Sequence, residues 1–380
     1  GDSPLRKMKN QNSANRLLRL SGYWGLLVGL VSVGLRWVAS KNPEMVERLF
    51  SRGFFLFVRT LFDGLTSFLP FPAVYLLLAG AGWWAYRSIR KKKRHAGASG
   101  WKLLGYWALQ TGNLAGWVIA WFFWAWGYNY YRIPVEQAMG LKVVPLDQQQ
   151  IAADFTRETA ALSSLRTSGF FTDTAALSRT NFPVDLEPRL RQSLKKVLTR
   201  YGYPDYGRVR GRLLYPAGVF LRFSTAGLYL PFTGEGHIDP GLHPVQWPYV
   251  MAHELSHGYG FGDEGTCNFW AYLACIQSGD PAVEYTGRLG YWRYLAPVYR
   301  KSDPESFQQA WDQLPPGIKN DLKAISAAMD RYPDLIPALQ YRVYDAYLKS
   351  QGIREGMLNY DRVLVLTHAW RAKEGLDRME

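Results

Sequence analysis

The chain has 380 residues, of which 48% are hydrophobic and 15 are Trp, and its formal net charge is +14. Residues 1–102 hold 17 of the 45 Lys and Arg residues but only 4 of the 31 Asp and Glu residues. The basic charge therefore lies in a part of the chain that is rich in apolar segments, and the rest is nearly neutral. This distribution argues against a nucleic-acid partner and favours a membrane protein, in which Lys and Arg flank the spans.

Three apolar stretches in the first third predict transmembrane helices, at about 20–39, 71–86 and 103–131. The third signal is the clearest, because its residues carry no charge and are rich in Trp, Phe and Tyr. Residues 43–63 place charged side chains opposite Phe and Leu. That pattern predicts either an amphipathic helix in the membrane interface or a helix packed on the catalytic domain. We therefore expect a membrane domain over 1–132.

The basic run at residues 87–94 separates the second and third predicted spans. Such a run can be a nuclear signal or a nucleic-acid patch, but between two spans it is typical of a cytoplasmic anchor. This orientation places residues 133–380 outside the cytoplasm. We expect a multi-pass protein of the bacterial inner membrane, with the lipid bilayer as a partner and the catalytic domain on the periplasmic side.

Residues 133–380 combine helical and strand patterns. Helices are predicted at 147–165 and 186–201, strands at 218–223 and 227–232, and helices dominate after residue 303.

Pro231 restricts the second predicted strand to the edge of a sheet, because proline cannot donate to a strand ladder. An edge strand can accept an extended peptide as one more strand. We therefore predict that Leu228, Tyr229 and Leu230 bind the backbone of a peptide or protein substrate.

The sequence His-Glu-x-x-His stands at His253, Glu254 and His257. Positions i and i+4 share one face of a helix, so both imidazoles can bind one metal ion. Pro248 suits the first turn of that helix, and glycines from Gly258 onward end it. Glu254, beside the first histidine, is the predicted catalytic base for a water molecule.

A second helix is predicted to begin at Asp263, a residue with N-cap chemistry. Glu264 and Asn268 then lie one turn apart on the same face. Glu264 is the predicted third metal ligand, and Asn268 is predicted to hold a ligand histidine by a hydrogen bond. Two histidines and one glutamate, with a fourth position left to water, are a catalytic Zn²⁺ set.

Peptide hydrolysis also needs a donor that stabilises the oxyanion, and Tyr344, Tyr360 and His237 are the candidates.

Cys267 is better explained as a small buried helix residue than as a nucleophile. Two other interpretations remain: an intramembrane protease, which the polar residues around the motif disfavour, and a catalytically inactive membrane scaffold whose metal is structural. Glu254 distinguishes an enzyme from such a scaffold, because a structural metal site does not require this residue.

Several segments resemble a bacterial membrane-protein family catalogued as a domain of unknown function and regarded as zinc-peptidase-like. The segments are residues 42–53, 228–235, 253–273 and 343–349. The wider similarity is to the gluzincin metallopeptidases, whose third ligand is a glutamate four residues before an acid or amide, as in Glu264 and Asn268. The family usually has Asp-Glu-Ala where this chain has Gly265-Thr266-Cys267. The resemblance implies peptidase activity.

Together these observations predict an α+β protein. An N-terminal three-helix transmembrane region precedes a mostly helical, zincin-like metalloprotease domain with a small sheet. The predicted function is zinc-dependent hydrolysis of peptide bonds in extracytoplasmic or membrane-proximal substrates.

Overall fold

The computed structural model describes residues 23–92, 100–354 and 361–376, and helices make up most of them. A π-helix, Val46–Phe54, joins the second helix to the third. The α-helices are α1 (Trp24–Ala39), α2 (Pro43–Met45), α3 (Phe55–Thr66), α4 (Val74–Lys92), α5 (Gly100–Ala125), α6 (Val135–Met139), α7 (Gln148–Arg166), α8 (Leu186–Arg200), α9 (Trp247–Gly258), α10 (Glu264–Ile276), α11 (Pro281–Ser302), α12 (Pro304–Gln313), α13 (Pro316–Asp330), α14 (Pro337–Ser350) and α15 (Arg362–Glu374).

One small sheet accompanies these helices, in the order β1 (Arg210–Leu213), β3 (Glu235–Ile238), β2 (Gly227–Leu230). β1 is parallel to β3, and β2 is antiparallel to it, with Leu228 opposite His237. In the described residues β2 therefore lies at a sheet edge, as predicted, and it ends just before Pro231.

The strand predicted at 218–223 is wrong, because this segment turns and ends in a 3₁₀ helix, Leu221–Phe223. The Asp239 carboxylate accepts hydrogen bonds from the N–H groups of Gly218, Phe220 and Leu221 at 2.7, 2.8 and 3.2 Å. These bonds hold the segment as a loop around one carboxylate. An alternating apolar sequence alone does not reveal that acceptor.

The predicted fold class and cell location are wrong. The three strands have four residues each, so a mostly helical protein with a small sheet replaces the α+β class. Among the described residues, no helix combines the length and the apolar character needed to span a membrane. This finding overturns the three-helix transmembrane region and the multi-pass inner-membrane location with a periplasmic catalytic domain. Residues 20–22 of the first predicted span and 93–99 of the basic loop lie outside the described residues.

Each predicted span fails for a physical reason. α1 has 16 residues, about 24 Å at 1.5 Å per residue, against a hydrocarbon core of about 30 Å. α4 contains Arg87 and Arg90 in its second half. α5 carries Gln110 and Asn113 mid-helix, and much of its aromatic content is Trp and Tyr, whose amphipathic rings suit an interface better than hydrocarbon.

Small residues bring α1 and α5 into close contact. A Cβ atom added to Gly116 would lie 2.0 Å from the backbone oxygen of Gly25, so neither helix could approach as closely with a larger side chain there. The Asn113 side chain uses this approach to accept a hydrogen bond from the Gly25 N–H at 2.7 Å. A polar group inside the third predicted span thus pairs with a backbone N–H in the first turn of a neighbouring helix, where no intrahelical acceptor is available.

The segment at 43–63 packs on the region of the sheet. Of its two predicted arrangements, a helix in the membrane interface or a helix packed on the catalytic domain, the second agrees with this contact. Arg59 of α3 is 1% exposed. It forms an ion pair with Asp63 at 2.8 Å, and its Nη1 lies 3.4 Å from the Tyr229 hydroxyl of β2. Asp63 in turn accepts a hydrogen bond from the Arg208 N–H at 2.6 Å. The charged face of this helix therefore contacts protein. The domain boundary between 132 and 133 stays a prediction.

A buried ion pair joins α7 to α13 in the large helical core. Asp321 is fully buried and accepts hydrogen bonds from Arg166 Nε at 3.0 Å, the Tyr285 hydroxyl at 2.7 Å and the Leu177 N–H at 2.7 Å. Because every partner donates to the ionised carboxylate, the pair is fully hydrogen-bonded in the low-dielectric interior.

We predict that Asp321→Ala lowers the free energy of unfolding by about 3–5 kcal/mol, because it leaves the Arg166 charge buried without its partner. The matched control is Asp185→Ala, which breaks an ion pair with Arg189 whose side chains are 57% and 58% exposed. The control should lose far less stability, since water screens that pair. Chemical denaturation measures both, and equal losses would contradict the assignment.

Candidate metal centre

Helix α9 places His253 and His257 side by side at its buried C-terminal end. Pro248 lies in its first turn, as predicted, and His253 follows five residues later, about one and a half turns along the helix. The two Nε2 atoms are 3.1 Å apart. The i, i+4 spacing of the sequence therefore becomes a pair of nitrogen atoms aimed at one point.

Glu264 completes a triangle of ligand atoms at the start of α10. Asp263 caps this helix by accepting a hydrogen bond from the Thr266 N–H at 2.6 Å. Glu264 Oε2 then lies 3.1 Å from His253 Nε2 and 3.3 Å from His257 Nε2. Ligand atoms at about 2.0–2.1 Å from a tetrahedral Zn²⁺ are separated by about 3.3 Å. The three atoms thus have the spacing of one face of such a site.

Outer hydrogen bonds fix the orientation of both rings. His253 Nδ1 lies 2.8 Å from Asn268 Oδ1, and His257 Nδ1 lies 2.7 Å from the Phe261 carbonyl oxygen. Both oxygen atoms are acceptors, so each ring donates from Nδ1, and its Nε2 is left to bind either a proton or a metal ion. The contact predicted between Asn268 and a histidine is thus present, and its role in holding a metal ligand stays a prediction.

The cluster needs positive charge at its centre. Two nitrogen lone pairs and a carboxylate oxygen within 3.3 Å repel one another unless a cation or a shared proton lies between them. In the metal-free protein the rings can hold protons in place of the ion; burial then raises the pKa of Glu264, but the charges and hydrogen bonds of His257 and His253 hold it far below the usual range. The donor set therefore fits a divalent metal ion.

Tyr344 approaches the site differently from the predicted oxyanion donor. Its hydroxyl donates to Glu264 Oε1 at 2.7 Å, so it binds the carboxylate oxygen that faces away from the histidines. This contact comes from α14, 80 residues along the chain. In this structure Tyr344 orients a ligand, and its role as an oxyanion donor stays a prediction.

Glu254 is a buried carboxyl group beside the cluster. It is 4% exposed, and among the described residues its Oε2 atom has no hydrogen-bond partner. Burial raises its pKa, while the charges of His253 and His257 act in the opposite direction. Sheet glycines make room for this side chain: a Cβ atom on Gly227 would lie 2.6 Å from Glu254 Oε1, and one on Gly236 would lie 2.8 Å from its Cβ.

The remaining predicted site residues lie close by, with one exception. His237 is buried on β3, with Nδ1 3.2 Å from the Leu228 carbonyl oxygen and Nε2 3.8 Å from Glu235. Cys267 is fully buried and forms no disulfide, its Sγ lies 3.4 Å from the Phe261 carbonyl oxygen, and burial raises its pKa to about 12, which disfavours a nucleophilic role. Tyr360 lies outside the described residues.

Sequence reasoning missed Trp126, which follows α5 directly. Its indole Nε1–H donates to the His257 carbonyl oxygen at 2.7 Å, and its ring centroid lies 6.1 Å from the His257 imidazole and 5.5 Å from the Tyr229 ring. The contact joins residues 131 positions apart. The aromatic run around it was the only signal, and that run is also what supports the third predicted transmembrane helix.

Residues 50–367 match the family described as "Protein of unknown function (DUF3810)". The chain belongs to this family. No curated protein and no solved structure matches the chain. The family carries no stated activity, so the chemistry of the site has to be argued from its geometry.

We predict that Asn268→Ala weakens Zn²⁺ binding about 10- to 100-fold, because the His253 ring loses the acceptor that fixes its orientation. The control is Asn320→Ala, which removes an exposed hydrogen bond to the Thr174 carbonyl oxygen. Competition with a fluorescent chelator measures both affinities. Equal affinities in the two variants would remove Asn268 from the site.

We also predict that Glu254→Gln stabilises the metal-free protein at neutral pH. The pKa of Glu254 is raised above its ordinary value of 4.5 in the folded state, so the folded protein binds the extra proton and stability falls as pH rises above 4.5. The neutral amide removes this cost, and the gain should vanish below pH 4.5.

Thermal unfolding in the presence of a chelator, over a series of pH values, measures this difference. Glu284→Gln is the control, since Glu284 forms an ion pair with Arg288 at 2.9 Å and should lose stability when neutralised. A Glu254→Gln variant that is less stable than the parent at neutral pH would show that the carboxylate has a partner.

Proposed function

We propose that this protein is a zinc-dependent peptidase in which Glu254 is the general base. One observation carries the proposal: His253, His257 and Glu264 form a triangle of ligand atoms with edges of 3.1–3.3 Å, and a buried carboxyl group stands beside it. Two imidazoles and one carboxylate leave a fourth position open, which is typical of catalytic zinc sites.

Zn²⁺ held by these three residues would polarise a peptide carbonyl and lower the pKa of a water molecule in the open position. Asn268 and the Phe261 carbonyl accept hydrogen bonds from the Nδ1–H groups of His253 and His257, which would leave both Nε2 atoms free to bind the ion. Tyr344 keeps Glu264 from rotating away by donating to its second oxygen. Each ligand is therefore positioned before substrate arrives.

Glu254 would accept a proton from the attacking water and deliver it to the leaving amine. Its environment suits this task, because burial raises the pKa of the carboxyl group and so strengthens it as a base. A structural metal site does not require a carboxyl group in this position. The carboxyl group thus favours an enzyme over a scaffold.

The edge strand β2 offers a place for the substrate backbone. The Asp239 N–H donates a hydrogen bond to the Ala226 carbonyl oxygen at 2.9 Å, so Ala226 pairs with the strand that contains β3. In an antiparallel ladder, only every second residue forms such hydrogen bonds with the neighbouring strand. The backbone groups of Gly227 and Tyr229 therefore point away from β3. A peptide paired with them would pass the Gly227 position, where the Glu254 carboxyl group is packed.

A structural metal site on a non-catalytic scaffold is the second candidate function. The low exposure of the ligands favours it: 8% for His253, 7% for His257 and 2% for Glu264. The two candidates differ in what Glu254 does, so one substitution separates them.

We predict that Glu254→Gln retains one bound Zn²⁺ but cleaves peptides about 10²- to 10⁴-fold more slowly than the parent, because the general base is lost. Mass spectrometry of a peptide library incubated with metal-loaded protein measures cleavage, and elemental analysis measures the metal. Glu284→Gln, which removes a carboxylate far from the motif in sequence, should cleave as the parent does.

Unchanged cleavage by the Glu254→Gln variant would remove Glu254 as the base. A parent protein that binds Zn²⁺, cleaves no peptide in the library and unfolds more easily without the ion would favour the scaffold instead.

A further inference from the structure

A second site lies apart from the metal ligands, in a cavity between α11, α12 and α13. The cavity has a volume of about 540 Å³, which is within the range of about 300–1,000 Å³ typical of small-molecule sites. None of the residues that line it belongs to the metal cluster. It is a separate feature of the fold.

The floor and walls of the cavity are apolar and aromatic. Trp292, Ala296 and Ile325 form the buried floor, with exposures of 4%, 5% and 3%. Phe307 and Trp311 form a wall on α12, with stacked rings whose centroids are 6.3 Å apart. An acyl chain or a flat ring would remove this surface from water.

The rim of the cavity is basic. Arg293, Arg300 and Lys301 line it, and the described lining residues include no Asp or Glu. Asp303, which is close in sequence, instead accepts a hydrogen bond from the Ser306 N–H at 3.0 Å and caps α12. The rim therefore has an excess of positive charge that an anion would neutralise.

The helix geometry contributes to this opening. α11 continues through Pro297, which lies in the cavity wall. Proline has no N–H, so the Arg293 carbonyl lacks its intrahelical donor, and the ring pushes against that turn. The Arg300 guanidinium lies 5.9 Å from the Phe307 ring centroid, at the border between the charged rim and the aromatic wall. One small ligand could therefore contact the aromatic wall and a cationic group at the same time.

We propose that this cavity binds an amphipathic carboxylate, with its acyl chain or aromatic ring on the Trp292–Phe307–Trp311 surface and its carboxylate at the arginines. Guanidinium groups bind carboxylates by paired, charge-assisted hydrogen bonds. Neither the metal nor peptide cleavage is needed for this binding, so the proposal stands independently of the peptidase.

The test is calorimetric titration of the full chain with decanoate, below the concentration at which it forms micelles. We expect one saturable site. Decyltrimethylammonium, which has the same chain and the opposite charge, should bind at least about tenfold more weakly, a difference of about 1.4 kcal/mol. Equal affinity for the two probes, or binding that does not saturate, would overturn the proposal.

Two variants locate the site. Arg293→Gln combined with Arg300→Gln should weaken decanoate binding about tenfold or more, and Ser326→Trp should block the mouth without changing the charge. The control, Arg189→Gln combined with Lys349→Gln, removes two exposed charges outside the cavity. Circular dichroism and the thermal midpoint confirm that each variant folds. Unchanged affinity in both cavity variants would place decanoate elsewhere and contradict the assignment.

Discussion

Three electron-rich atoms held within 3.3 Å of one another, inside the protein, set the central electrostatic constraint on this structure. Such a cluster is costly in a low dielectric unless a cation balances it. The surrounding contacts serve to keep the three atoms together. Asn268, the Phe261 carbonyl and Tyr344 each hold one ligand, and they belong to α10, the turn before it and α14. The packing of α9 on α10 is therefore inseparable from the site.

The N-terminal helices are part of this packing. Trp126 contacts His257, Arg59 contacts the β2 residue Tyr229, and the Ala73 N–H donates to Glu235 of β3 at 2.7 Å. The segments that were predicted to span a membrane thus include groups that contact His257 and the sheet. An apolar stretch of sequence predicts that its side chains are shielded from water, but it does not indicate whether protein or lipid shields them.

The metal centre and the α11–α13 cavity recognise different chemistry. The first gathers ligands that suit a hard or borderline cation, and the second surrounds an apolar floor with cations. The proposed peptidase function rests on Glu254, a carboxyl group buried beside the three ligand residues. The carboxylate site rests on Arg293 and Arg300 and is independent of it. The molecule thus offers two candidate binding surfaces that can be tested separately.

The sequence by itself determined the local parts of the site. The four-residue spacing of His253 and His257, and the cap at Asp263 that opens α10, follow from helix periodicity and capping, which act over a few residues. The same local rules located α7, α8 and the edge strand β2. They failed at 218–223, where the Asp239 carboxylate, about 20 residues away, holds a loop.

Only the tertiary structure decided what lies around these elements. It brought Trp126 onto His257 across 131 positions and Tyr344 onto Glu264 across 80, and it placed α3 against the sheet. It also showed that none of the described helices can cross a bilayer. The reason is physical: hydrogen-bond periodicity is local, whereas the partner that buries an apolar or charged side chain is selected by packing between segments distant in sequence.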